Sequence, residues 1–258
     1  MNYLIAKIRQ LFQEEKQEIY EAIGRNYKEN NIEIKYSKLE DIINKLVNQE
    51  GKKVDSTKTV LNIYNGNTYL MLEIVLKNLI CGNNTLLIAE KENTLNSVIL
   101  NVIRNALKQE NSPLVIKEYA QVNLENALKE TKLIHRVVFF GDKRQYKQLK
   151  NSTSIETKYN GYGSIIVYVE DEDEFEEELE EIDEFAYINN FYINKITEDL
   201  EEEINNINKD GKNDVCIILS RDEEKIKLFK EKVYSNNIFV NEINYEMEHE
   251  ILQELFEF

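Results

Sequence analysis

Apolar residues at Leu4, Ile8 and Leu11, then Ile19 and Ile23, recur at helical spacing, and Leu39, Ile42, Ile43 and Leu46 repeat the pattern. Residues 1–58 therefore read as a helical segment. The polar stretch NQEGKKVDSTK closes it with Gly51 and the turn formers Asp55 and Ser56. From Thr59 the period changes. TVLNIYN, TLLIAE, PLVIKEYA and RVVFFG are short, β-rich apolar runs. Helical stretches over 68–80, 95–107 and 124–128 separate them, and another helix begins at 146–149. Four β-α units in a row predict a parallel sheet with helices on its faces. The runs are continuous rather than alternating, the pattern of strands buried on both sides.

SIIVYV is one more strand of the buried type. The acidic run behind it carries Phe175, Leu179, Ile182 and Phe185 at helical spacing, which predicts a helix with one apolar stripe. Its early carboxylates suit the positive end of a helix dipole. A calcium loop is a poor match, because the turn glycine and alternating ligands are absent. The remainder reads as a helix near 196–207, the strand VCIILS, a helix over 223–233, the strand NIFVN and a C-terminal helix. The organisation expected is a helical segment (1–58), an α/β domain (59–154), a smaller α/β segment (155–241) and a helical tail (242–258).

Composition removes several function classes. With 42% hydrophobic and 31% charged residues, the chain is globular rather than disordered. A formal net charge of -16 argues against nonspecific binding to nucleic acid or anionic membrane. No apolar run is long enough for a membrane span, and the amphipathic N-terminus lacks the features of a secretory signal, so a cytoplasmic location is expected. The two cysteines, Cys81 and Cys216, sit in apolar surroundings and read as buried thiols, with no metal-ligand spacing. His135 and His249 are the only histidines and lie far apart. No Walker loop or dinucleotide GxGxxG occurs.

Four segments, in order, resemble the aldehyde dehydrogenase superfamily, most nearly its γ-glutamyl phosphate reductase branch. They are IYNGNTYLMLEIVLKNLICGNNTLLIAEKENTLNSVI, HRVVFFGDKRQYKQL, NGYGSIIVYVEDEDEFEEELEEI and VCIILSRDEEKIKLFKEKVYSNNIFVN. The first resembles the opening β-α-β unit with its Gly-Asn turn, here Gly82-Asn83. The second resembles the strand and Gly-Ser turn at the nicotinamide site, here Gly141-Asp142. The third resembles the strand and helix that open the catalytic domain, and the fourth a late strand-helix-strand. The resemblance implies an α/β fold: a parallel Rossmann-like sheet with flanking helices, plus a reduced remnant of an aldehyde dehydrogenase catalytic domain. It places the cofactor-binding positions at Asn65, Gly82, Asn83 and Gly141.

The family's chemistry requires a thiolate nucleophile, an oxyanion stabiliser and a hydride carrier. By resemblance the nucleophile belongs near AYINNFYINKI, yet no cysteine occurs between Cys81 and Cys216. The family's basic cofactor contact falls on Ile88 or Ala89. Tyr146 stands where many members have glycine, and the glutamate of the Glu-Leu-Gly-Gly motif falls on Lys158 or Tyr159. Asn65 matches either the oxyanion-stabilising asparagine or a helix cap. The segment between Phe185 and Asp214 reads as one helix and a turn, too short for a complete catalytic domain.

These observations imply a catalytically stripped relative: no catalytic residue, no metal, and no cofactor, with NAD or NADP bound only if the pocket survives. Such a protein would act through protein contacts. KNSTSIETKYNGYG is a candidate projecting strand, and Ile251, Leu252, Leu255 and Phe256 are a candidate homo- or hetero-oligomer face unless the tail packs on its own domain. The alternatives are a small-molecule or nucleotide sensor and an active NAD(P)-dependent aldehyde or acyl-phosphate oxidoreductase.

Overall fold

The structure, a computed structural model, describes residues 2–27, 31–47, 57–89, 93–119, 133–141, 143–161, 163–188, 191–197, 199–209, 213–242 and 253–258. The helix expected over 124–128 lies outside them. The chain forms two compact units, Met1–Gly161 with Ile251–Phe258, and Tyr162–Glu250.

The first unit holds a five-stranded parallel sheet in the order β3-β2-β1-β4-β5. Its strands are β1 (Thr59–Tyr64), β2 (Asn84–Ala89), β3 (Ile116–Tyr119), β4 (Arg136–Gly141) and β5 (Glu156–Gly161). The four apolar runs from the sequence all pair in parallel: β1 with β2, β1 with β4, and β2 with β3. Three helices come first, α1 (Asn2–Glu14), α2 (Lys16–Tyr27) and α3 (Ile32–Val47). They bury the predicted stripe of Leu4, Ile8, Leu11, Ile19, Ile23, Leu39, Ile43 and Leu46. That layer packs on α4 (Thr68–Ile80) and α5 (Thr94–Gln109). Because α4 lies beneath α3 as well as against β1 and β2, it is buried nearly all round, which explains its lack of a polar face. The one buried cation on it, Lys77, pairs with Glu73 at 2.8 Å.

On the other sheet face, α6 (Lys143–Ser152) seals Leu61, Ile63, Ile88, Val137 and Phe139 with Leu149. KNSTSIETKYNGYG does not project as a separate arm. Its Glu156–Gly161 part pairs in parallel with β4, so the first sheet continues past the boundary expected at 154. As an edge strand β5 has one solvent side, and its polar sequence follows from that.

The second unit holds a four-stranded parallel sheet, β7-β6-β8-β9. Its elements in chain order are β6 (Gly163–Val169), α7 (Glu176–Ile188), β7 (Phe191–Ile196), α8 (Leu200–Lys209), β8 (Asn213–Leu219), α9 (Glu223–Lys232) and β9 (Ser235–Val240). The acidic helix α7 buries Phe175, Leu179, Ile182 and Phe185 against Ile165, Val167 and Val169, as its stripe predicts. On the opposite face, Ile166, Tyr168, Cys216 and Ile218 meet Leu200, Ile204 and Ile207 of α8 and Phe229 of α9. The segment after Phe185 is richer than expected, supplying a strand, β7, as well as a helix. The helix expected from Ile196 starts at Leu200, since Phe191–Ile196 pairs with β6.

The chain returns to the first unit at its end, where Gln253–Leu255 forms a 3-10 turn. Leu255 and Phe256 are buried in that unit, and Phe256 stacks on Phe140 of β4 with centroids 6.5 Å apart. Packing on their own sheet removes the apolar area of these two side chains from water. Ile251 and Leu252 lie outside the described residues. Among the described residues, no helix is long and apolar enough to cross a membrane.

Candidate functional site

Parallel α/β sheets take ligands at the carboxyl ends of their strands, where successive connections run to opposite faces. In the first sheet that place lies between β1 and β4, and in the second between β6 and β8.

At the first rim, β1 ends at Tyr64 and turns through Asn65, Gly66 and Asn67 into α4. Gly66 has φ 95°, a left-handed value that a Cβ would penalise. Asn65 does not cap the helix: its Oδ1 accepts from the Asn67 N–H at 2.9 Å. The cap is Asn67, whose Oδ1 accepts from the N–H groups of Tyr69 and Leu70 at 2.8 and 3.1 Å. Asn93 caps α5 in the same manner, accepting from Leu95 N–H at 3.0 Å and donating to Thr68 Oγ1 at 2.9 Å. Asn96, fully buried, donates to the Gly66 carbonyl at 3.0 Å and to the Tyr64 hydroxyl at 3.2 Å. Across the rim, Gly141 ends β4, and its carbonyl accepts from the Tyr159 hydroxyl at 3.0 Å. Tyr159 stacks on Tyr146 with centroids 4.8 Å apart.

Gly82 and Asn83 are elsewhere. They precede β2, and its first residue, Asn84, pairs with Thr59 at the start of β1. They sit at the amino end of the sheet, one strand length, about 17 Å, from Asn65. Gly82 takes φ 72° and bonds Leu79. Asn83 donates through Nδ2 to the Phe256 carbonyl at 2.7 Å. The four positions implied by resemblance thus fall at opposite ends of one sheet: Asn65 and Gly141 share a rim, while Gly82 and Asn83 build a turn.

A dinucleotide pyrophosphate needs free N–H donors or cations. In the first turns, the N–H groups of Tyr69, Leu70 and Met71 are taken by Asn67 and those of Leu95 and Asn96 by Asn93. Tyr159 covers the Gly141 carbonyl, and β2 ends in buried Ile88 and Ala89. These committed donors fit a pyrophosphate poorly. Glu90, Lys91, Glu92 and Asp142 lie outside them.

The second rim is more polar. Glu170 follows β6 and Ser220 follows β8. Ser220 Oγ donates to Glu170 Oε2 at 2.5 Å, and Lys225 of α9 pairs with Oε1 of the same carboxylate. Asn241 brackets Ser220, accepting from its N–H at 2.9 Å and donating to its carbonyl at 3.0 Å. Asp222 caps α9. Ser220 is fully buried, and its oxygen also accepts from Asp222 N–H at 3.0 Å. The cluster ties β6 to β8, α9 and Asn241 rather than presenting a nucleophile. This group escapes the sequence analysis, since Glu170 lies 50 residues from Ser220 and 55 from Lys225.

The hydrogen bond from Lys225, then that from Ser220, holds the Glu170 carboxyl below its ordinary value of 4.5. The same bond raises Lys225 above 10.5. A depressed carboxylate contributes stability that is complete above 4.5 and lost as pH falls through the lower folded value. The raised Lys225 contributes below 10.5 and loses its effect as pH rises through the higher folded value. Glu170→Gln should therefore cost stability at neutral pH and flatten the acid limb of the melting curve. Circular-dichroism melts between about pH 2 and 7 check this, and an unchanged acid limb in the variant would refute it.

Both cysteines are buried, as the sequence predicted. Cys81 ends α4 at 5% exposure, and Cys216 lies inside β8 at 0%. His135 Nδ1 accepts from Thr59 N–H at 3.1 Å, a structural role. No group of three potential metal ligands occurs among the described residues.

No protein-family model matches the sequence, and no curated protein matches it. Solved structures do match. Glyceraldehyde-3-phosphate dehydrogenase GapN from Methanocaldococcus jannaschii, complexed with NADP, aligns with 93% of this chain and 80% of its own at 11% identity, TM-score 0.57. The 1-pyrroline-5-carboxylate dehydrogenase from Thermus, with bound NAD, aligns with 95% of this chain and 73% of its own at 9% identity, TM-score 0.57. The chain has the aldehyde dehydrogenase fold. The γ-glutamyl phosphate reductase from Thermotoga maritima also matches, over 93% of this chain and 82% of its own at 15% identity, with a TM-score of 0.47. That value does not weigh one aldehyde dehydrogenase branch against another.

Proposed function

We propose that this aldehyde dehydrogenase-like chain is a non-catalytic cytoplasmic protein that acts through protein contacts. The observation that carries this reading is the placement of its only two thiols. Cys81 and Cys216 are buried at 5% and 0% exposure, and no cysteine lies between them in sequence. A thiolate nucleophile has to be reachable and electrostatically favoured, and apolar burial works against both. The donors already committed at the first rim support an absence of NAD or NADP use. For protein contacts, the edge strands β7 and β9 carry the partly buried Phe191, Ile193, Ile238, Phe239 and Val240.

The purified protein is expected to show no NADPH-dependent reduction of a small aldehyde or an acyl phosphate. A Cys81→Ala/Cys216→Ala variant serves as the control. Turnover by the native protein and not by the variant would make the chain a thiol oxidoreductase. Equal turnover by both would make it an oxidoreductase that uses another group. Calorimetric titration with NAD and NADP is expected to give no binding near about 1 μM, which corresponds to about -8 kcal/mol. Micromolar binding without turnover would favour a nucleotide sensor instead.

A further inference from the structure

The segment 253–258 is held in an unusual manner. Three successive carbonyls, at Leu255, Phe256 and Glu257, are each captured by a side chain of the sheet's amino edge. Arg136 Nη1 donates to Leu255 O at 2.9 Å and to Glu257 O at 2.6 Å, while Asn83 Nδ2 donates to Phe256 O at 2.7 Å. One side chain thus holds the outer two carbonyls and another the middle one, gripping the segment through its main chain as it leaves the 3-10 turn. The side chains add to this grip. Phe256 stacks on Phe140, and Phe258 lies over the Arg136 guanidinium, 4.1 Å from its carbon to the ring centroid.

The residues that hold the segment are also fixed by contacts within the sheet. Arg136 opens β4 and is fixed by Glu156 at the start of β5, through Nε at 3.0 Å and Nη2 at 2.9 Å. Asn83 belongs to the turn before β2, held by Asn78 O at 2.9 Å. Phe140 is on β4 itself. The docked residues, in contrast, reach the first unit only after the chain has run through the whole second unit.

We propose that residues 254–258 are a separable strap, a peptide ligand of a preformed slot formed by Asn83, Arg136 and Phe140. Seating it ties together the amino ends of β2, β4 and β5. The first unit is then locked only when this segment has docked, and the slot binds the same sequence offered as a separate peptide.

Hydrogen exchange of the full-length protein tests this. Phe256→Ala on the strap and Arg136→Gln on the slot should each speed exchange by at least about tenfold at β2 and β4 amides, leaving β6 and β8 slow. A tenfold change corresponds to about 1.4 kcal/mol. An acetylated and amidated Glu254–Phe258 peptide should restore slow exchange saturably in the Phe256→Ala protein and fail to do so in Arg136→Gln. Should Phe256→Ala not fold, Phe256→Leu takes its place in the same rescue. Unchanged exchange in both variants overturns the proposal. So does faster exchange spread equally over both units, or an absence of rescue at millimolar peptide, since each removes either the lock or its separability.

Discussion

Phe185→Ala is expected to destabilise the second unit by about 3–5 kcal/mol, a large share of the roughly 5–15 kcal/mol that holds an ordinary domain together. Phe185 is 1% exposed on α7 and stacks on Phe191 of β7 with centroids 5.8 Å apart. The same cluster holds Ile165, Val167, Val215 and Ile217, so truncation opens a cavity bounded by rigid strands rather than by side chains free to collapse. β7 should suffer most. It pairs on one side only, with β6, and Asn194 and Lys195 are exposed, so the Phe191 contact, with the exposed Lys195–Asp183 pair beside it, is a main reason for it to remain on the sheet. Urea melts followed by circular dichroism measure the loss, and amide exchange locates it. A loss under about 1 kcal/mol would mean that α7 is not the element closing this face.

How much of this was legible in the sequence depended on how many sides of each element are covered. Strands buried on both faces, such as VCIILS and RVVFFG, announce themselves through unbroken apolar runs, and the acidic helix gives itself away by its stripe despite its charge. The edge strands do not. Phe191–Ile196 and Glu156–Gly161 keep polar residues on their open sides, so the first merged with the following helix and the second read as a projecting arm. The rims were less legible again. Asn65 and Asn67 both stand before α4, and only geometry gives the cap to Asn67. Gly82 and Asn83 look like a functional turn in one dimension, while pairing of Thr59 with Asn84 puts them at the wrong end of the sheet to meet Asn65. The Glu170, Ser220, Lys225 and Asn241 cluster spans 71 positions, and the strap joins Asn83 to Phe256 across 173. No local pattern encodes contacts at such separations.

Asn62→Val and Thr85→Val are expected to leave the first unit as stable or to stabilise it, Asn62→Val by about 1–3 kcal/mol, the cost of keeping a buried polar atom unsatisfied. Val60 pairs with Thr85, and Asn62 lies two residues further along β1, so both side chains point to the same sheet face. Both are fully buried. Asn62 Nδ2 reaches the carbonyls of Val60 and Leu86 at 3.2 Å, whereas Asn62 Oδ1 and Thr85 Oγ1 have no partner among the described residues. Valine suits a strand, removes the orphan acceptor, and at position 85 nearly preserves shape. Thermal melts of the two single variants measure the change. If Thr85→Val loses more than about 1 kcal/mol, its hydroxyl is hydrogen-bonded in solution, because losing a satisfied buried bond is what costs that much, whereas a loss in Asn62→Val beyond that size measures its two Nδ2 bonds. A buried water shared by these two polar groups on one sheet face is the partner that such a loss would point to.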